Sequence, residues 1–188
     1  MVVVLTVQGD FIYIVVMAEN STENKVPSRI IFDNLRELVR AKNTAHESMF
    51  KFHWKKMWPF CLIWPQVDFN RIVRLMGEIR RNIIAQENLV AEAKPKAKDF
   101  EKDYFNALPA YLKALDTACK CLADAAQWKQ DFLERKLTKD VKVIRDTKAY
   151  NEILKAYEKA ENDLVMAGAF VQNGWIDVVR ATAATKTP

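Results

Sequence analysis

The sequence predicts an all-α protein, an antiparallel four-helix bundle with an irregular amino-terminal extension. Three observations predict it. Only four glycines and six prolines occur in 188 residues, so long stretches run without punctuation. Alanine, leucine, lysine and glutamate are plentiful after residue 70, and these are good helix formers. Four segments of roughly 25 to 35 residues carry apolar side chains at three- and four-residue steps, wide enough to bury a shared core and too irregular for a strict coiled coil. No period of 20 to 50 residues repeats. The expected division is an extension over 1–27, the bundle over 28–180 and a flexible tail over 181–188.

The amino terminus holds two apolar runs, Val2 to Val7 and Phe11 to Met17, split by Gln8-Gly9-Asp10. Neither reaches the roughly 18 to 20 residues that span a bilayer. A hairpin turning at Gly9-Asp10 suits the β-branched content. A signal peptide cleaved after Val16-Met17-Ala18 is the alternative, although no basic stretch precedes the apolar run. A translated upstream region foreign to the mature protein is a third.

Pro27-Ser28 closes a polar stretch and signals a helix start. The first helix is expected from about Ser28 towards Phe52, with Ile31, Leu35, Leu38 and Val39 on one face and Arg29, Arg36, Arg40 and Lys42 elsewhere. Pro59 and Pro65 then break the chain. The second helix is the clearest. Ile72, Leu75, Met76, Ile79, Ile83 and Val90 form its stripe, and it stops near Ala93 before Lys94-Pro95-Lys96. Gly77 inside it costs about 1 kcal/mol against alanine, which a close helix–helix approach would explain.

The third helix carries Phe100, Tyr104, Leu108, Tyr111, Leu112, Leu115, Cys119, Leu122 and Ala126. Pro109 either kinks it or starts a fresh segment, and the helix extends to about Lys136 through Trp128, Phe132 and Leu133. The fourth follows the charged stretch TKDVKVIRDTK, with Tyr150, Ile153, Tyr157, Ala160, Leu164, Ala167 and Val171 inward. Gly174 reads as its end or a bend, with Trp175 to Val179 packed back and ATAATKTP as a frayed tail.

Composition bounds the function. Half of the residues are hydrophobic and 28% are charged, as in a folded domain. The net charge is +5 and the pI about 9.0, which suits an acidic partner surface. The basic residues are interleaved with acids, so no concentrated stripe for nucleic acid is present. Cys61, Cys119 and Cys121 give an odd count and no disulfide framework. Cys119 and Cys121 point about 200° apart on one helix and read as small apolar residues.

The chemistry that bundles often host has no motif here. A di-iron site wants two inward Glu-x-x-His pairs, and neither His46 nor His53 follows a glutamate by three residues. Covalent haem wants Cys-x-x-Cys-His, and structural zinc wants a second cysteine pair. No Gly-rich phosphate loop or Gly-x-Ser-x-Gly elbow occurs. His46 and His53 are seven apart and share a face without a third ligand. They read as surface or interfacial residues. Glu101 and Asp103 read as a solvated helix start near the positive end of the dipole. The expectation is therefore a non-enzyme with no catalytic residue, cofactor or metal, and no polar or histidine cluster inside the core.

The densest stretch is MFKFHWKKMWPFCLIWPQ, residues 49–66, with three of the five tryptophans. Three readings stand. Trp58, Phe60, Leu62 and Trp64 cap the bundle where the first helix turns into the second. Alternatively, Trp54, Trp58 and Trp64 anchor a partner while Lys51, Lys55 and Lys56 meet its acidic groups, because interfaces enrich aromatics. In the third reading the segment lies in a membrane headgroup zone, too short to span.

From Trp64 onward the chain resembles the PsbQ family, small extrinsic subunits on the lumenal side of photosystem II. The residues that carry the resemblance are Trp64-Pro65, Ile79-Arg80-Arg81-Asn82-Ile83, the Lys94-Pro95-Lys96 turn, Tyr104-Phe105, Leu115-Asp116-Thr117-Ala118, and a tyrosine, Tyr150 or Tyr157, near the start of the last helix. It spans about residues 50–170. Asn82 stands where the family usually has aspartate, about one extra turn separates Phe105 from Leu115, and a long charged stretch joins the last two helices. No recognisable transit peptide or twin-arginine signal is expected before the domain, with Val16-Met17-Ala18 as the alternative tail of a lumen-targeting signal.

The resemblance implies a non-catalytic protein of the chloroplast thylakoid lumen, peripheral to the membrane. It would dock on the photosystem II core and other extrinsic subunits and help the oxygen-evolving complex retain calcium and chloride. The runner-up is a helical-bundle adaptor of another large assembly, which binds through residues 49–66. An adaptor that takes an amphipathic partner helix would leave one apolar face uncovered.

Overall fold

The computed structural model describes residues 2–8, 11–17, 27–50, 67–137 and 143–184. The amino-terminal runs pair as an antiparallel hairpin of β1 (Val2–Gln8) and β2 (Phe11–Met17), with Val2 opposite Met17 and Gln8 opposite Phe11. The rest is an antiparallel bundle of four helices: α1 (Pro27–Phe50), α2 (Phe69–Ala93), α3 (Lys102–Leu137) and α4 (Val143–Ala184).

Paired contacts run in opposite senses along neighbouring helices. Between α1 and α4, Phe32 meets Trp175, Lys42 meets Glu161, and His46 meets Tyr157. Between α3 and α4, Tyr104 meets Trp175 and Trp128 meets Tyr150. Arg80 of α2 holds Asp116 of α3 through Nε at 2.6 Å and Nη2 at 3.1 Å. Such a planar fork fixes orientation as well as distance.

The core is the sum of the four stripes. Met76, Ile79, Leu108, Leu112, Leu115, Ala118, Cys119 and Leu122 are fully buried. Each helix start has a local cause. Pro27 opens α1, where its missing N–H is no loss. Asp68 caps α2 by accepting from the Arg71 amide at 2.9 Å. Short 3-10 turns, Lys94–Lys96 and Asp99–Glu101, link α2 to α3.

Several expectations need correction. Pro109 does not start a fresh segment, since α3 runs unbroken from Lys102. The proline is exposed, and its missing N–H removes one helical hydrogen bond, the one to the Phe105 carbonyl. Gly174 does not end α4, which continues to Ala184, past the expected boundary at 180. Trp175 stacks on Phe32 at 4.2 Å between ring centroids and Val178 is buried, so the last turns are held by packing.

The glycines exchange roles. A β-carbon on Gly77 would meet nothing within 4 Å, so no close helix approach explains it. A β-carbon on Gly174 would stand 2.7 Å from both N and Cα of Tyr104. Gly174 is therefore where α4 crosses the start of α3 backbone to backbone.

Candidate functional site

Two features remain once the apolar core is accounted for: a polar ladder inside the bundle and an apolar face outside it.

The ladder joins α1 and α4. Lys42 lies on the stripe of Ile31, Leu35, Leu38, Ala45 and Met49, so it points inward and is 2% exposed. This corrects its expected place off the buried face. Its Nζ sits 2.6 Å from Oε2 of Glu161. One turn along each helix, Nδ1 of His46 lies 2.7 Å from the Tyr157 hydroxyl. The expected absence of a polar cluster in the core is thus overturned. A lysine amid arginines reads as solvated, and only the facing helix supplies its partner and that of His46.

The chemistry of these groups is subdued. Burial pushes the Tyr157 hydroxyl far above its ordinary range, and the nearby Glu161 carboxylate adds to the shift, so the phenol stays neutral. Burial likewise pushes the Cys119 thiol up to about 12, against a smaller opposing pull from Lys42. A protonated, fully buried thiol is a poor nucleophile. Cys121 is partly exposed, and burial raises its thiol too.

A pH dependence follows. Burial raises Tyr111 to about 12 from an ordinary 10.0, and Cys119 to about 12 from 9.0. Both groups are neutral when protonated, so their folded values exceed their unfolded ones. The stability they contribute is complete below pH 9 and is lost as pH rises from 9 towards 12. Each costs about 1.4 kcal/mol per pH unit while ionised only in the unfolded chain. Urea unfolding at pH 8 and pH 10.5 should show a lower midpoint at the higher pH, and Cys119→Ala should reduce that drop.

A second anchor lies at the opposite end of the core. Glu101 was expected on a solvated helix start. Instead it is 4% exposed, accepts from the Ser28 hydroxyl at 2.6 Å, and accepts from the Lys98 amide at 3.0 Å. The long reach to Ser28 of α1 draws it inward. Asp103 remains exposed as expected. Beside Glu101 a cleft of about 210 Å³ opens, lined by Ile30, Leu89, Ala93 and Phe105 among others. Among the described residues, no group of three or more His, Cys, Asp or Glu side chains could hold a metal ion, and no helix is long and apolar enough to cross a membrane.

The outer feature is on α4. Val165, Met166 and Phe170 are 68%, 65% and 66% exposed. Ile176 and Val179 extend the same helix's exposed apolar surface, so among the described residues five of the eight large exposed hydrophobic residues lie on one helix rather than scattered. Concentrated patches of this kind mark interaction surfaces, whereas isolated ones need no explanation. The local cause is the run LVMAGAFV, Leu164 to Val171. Eight consecutive apolar residues circle a helix, and the bundle covers only the side with Leu164 and Val171. That run is the signal the stripe reading passed over.

The expected partner-binding residues Lys51, Trp54, Lys55, Lys56, Trp58 and Trp64 lie outside the described residues, as do His53 and Cys61. His46 is half-buried at the α1–α4 interface, in line with its interfacial reading. Comparison with protein-family models, curated proteins and solved structures finds no match for the chain.

Proposed function

We propose that the protein is a non-catalytic helical-bundle subunit that docks on a partner polypeptide through the outward face of α4. The observation that carries this reading is the exposure of Val165, Met166 and Phe170, each about two-thirds open to solvent on a bundle whose core is already filled. The interior polar groups support it, because Lys42, Glu161, His46 and Tyr157 are engaged with one another across α1 and α4.

The resemblance to the PsbQ family makes the assembly photosystem II. On this reading the chain is an extrinsic subunit of the chloroplast thylakoid lumen, peripheral to the membrane, which docks on the core and other extrinsic subunits and aids calcium and chloride retention without ligating either ion. The net charge of +5 supports attraction to an acidic surface. Lys51, Trp54, Lys55, Lys56, Trp58 and Trp64 supply a second docking element in the same proposal. The alternative is an adaptor in another large assembly.

A salt wash of native thylakoid membranes tests the assembly. The protein should be released at about molar salt, and oxygen evolution at limiting calcium and chloride should fall until the ions are restored. If the protein is missing from thylakoid fractions, photosystem II is the wrong assembly and the adaptor reading replaces it.

A further inference from the structure

We propose that the partner seated on the α4 face is a second copy of this chain, packed antiparallel about the level of Gly168. The inference rests on the docking reading above and names its occupant.

The argument is the charge pattern around the apolar centre. Glu158 and Lys159 are exposed before Val165, Met166 and Phe170, and Asp177 and Arg180, a loose, exposed i,i+3 pair at 3.8 Å, come after them. At 3.6 residues per turn, Lys159, Met166, Phe170 and Asp177 share one side of the exposed face. Turning a second copy end over end about the level of Gly168 places Lys159 opposite the second copy's Asp177, and Met166 opposite its Phe170. Glu158 then comes near the second copy's Arg180. Asn162 comes near the second copy's Asn173, a polar pairing of the kind that fixes register between helices.

A two-fold interface must be self-complementary in this way. A parallel arrangement would instead set like against like. Around the centre, exposed Lys155, Lys159 and Arg180 are balanced by exposed Glu158, Asp163 and Asp177, so the rim lacks the basic excess that draws an amphipathic face to an anionic membrane. A sulfur against an aromatic ring suits the centre.

Charge exchange in the full-length chain is the test, read by sedimentation velocity and native mass spectrometry. The wild type should be a dimer at about 100 µM. Phe170→Glu should weaken the dimer about a hundredfold, because two copies of a central anchor are lost. Lys159→Glu should weaken it about tenfold, and adding Asp177→Lys should restore it. Lys159 and Asp177 stand about 27 Å apart along one helix, so the rescue can only act between chains. Helix content should be unchanged throughout, since all three positions are exposed.

A wild-type monomer at that concentration overturns the proposal, as does a dimer indifferent to Phe170→Glu or a charge exchange without rescue. If the monomeric wild type binds its native assembly and Phe170→Glu abolishes that binding, self-pairing fails while the docking reading stands. If Phe170→Glu changes neither self-association nor assembly binding, both fail.

Discussion

Replacing Gly174 by alanine should lower the stability of the bundle by about 2 kcal/mol, although alanine is the better helix former by about 1 kcal/mol. The new methyl group would stand 2.7 Å from N and Cα of Tyr104 and 3.1 Å from the carbonyl carbon of Asp103. Those are backbone atoms, so no rotamer change relieves the overlap. The helices must part at the level where Trp175 stacks on Phe32 and packs 5.5 Å from the ring of Tyr104. Gly77→Ala should do the opposite and stabilise by about 1 kcal/mol, because nothing lies within 4 Å of the added carbon. Thermal unfolding of the two variants checks both, with shifts of about 2–4 °C per kcal/mol for a chain of this size. A Gly174→Ala protein that gains stability would remove the close crossing from the account.

The second large effect concerns the buried ion pair. Glu161→Leu should destabilise by about 3 kcal/mol, because it strands an ammonium inside the bundle. The Lys42 side chain is 2% exposed whereas that of Glu161 is 28% exposed. Lys42→Met should therefore cost less, since the orphaned carboxylate can turn towards water. The double variant should recover to within about 1 kcal/mol of wild type, because an apolar pair of similar size avoids the desolvation cost. Urea unfolding of the two single variants and the double closes the cycle. A double variant as unstable as Glu161→Leu would show that the pair contributes more than mutual neutralisation.

These two sites also show what the sequence could convey. The three- and four-residue stripes placed four helices and most of the core correctly, since burial of an amphipathic face dominates helix packing. Chemical type misled where it competed with position. Lys42 occupies an inward step of the α1 stripe, yet lysines are seldom buried unless paired, and its partner Glu161 is 119 residues away. Gly174 sits one step beyond Val171 on the inward stripe of α4, yet glycine after an apolar run is also a common stop signal. Gly77 lies off the α2 stripe, and position alone favoured its openness.

The same competition hid the α4 face. The inward stripe uses only Leu164, Ala167 and Val171 of this stretch, and it says nothing of Val165, Met166 and Phe170 on the other side of the helix. Glu101 was read as solvated because acids favour helix starts. Only the fold brings Ser28 of α1 against it. The two amino-terminal β-branched runs pair as strands, but the sequence alone left the hairpin beside two other readings.

Hydroxyl-radical footprinting of the protein in its native extract tests the central claim most directly. Met166 and Phe170 on α4 are compared with Ile84, which is 57% exposed on α2. The account predicts that Met166 and Phe170 are protected in the extract and oxidised in dilute purified protein, while Ile84 is oxidised in both. Equal oxidation of all three in the extract would contradict it, because the α4 face would then be bare where its partner should be.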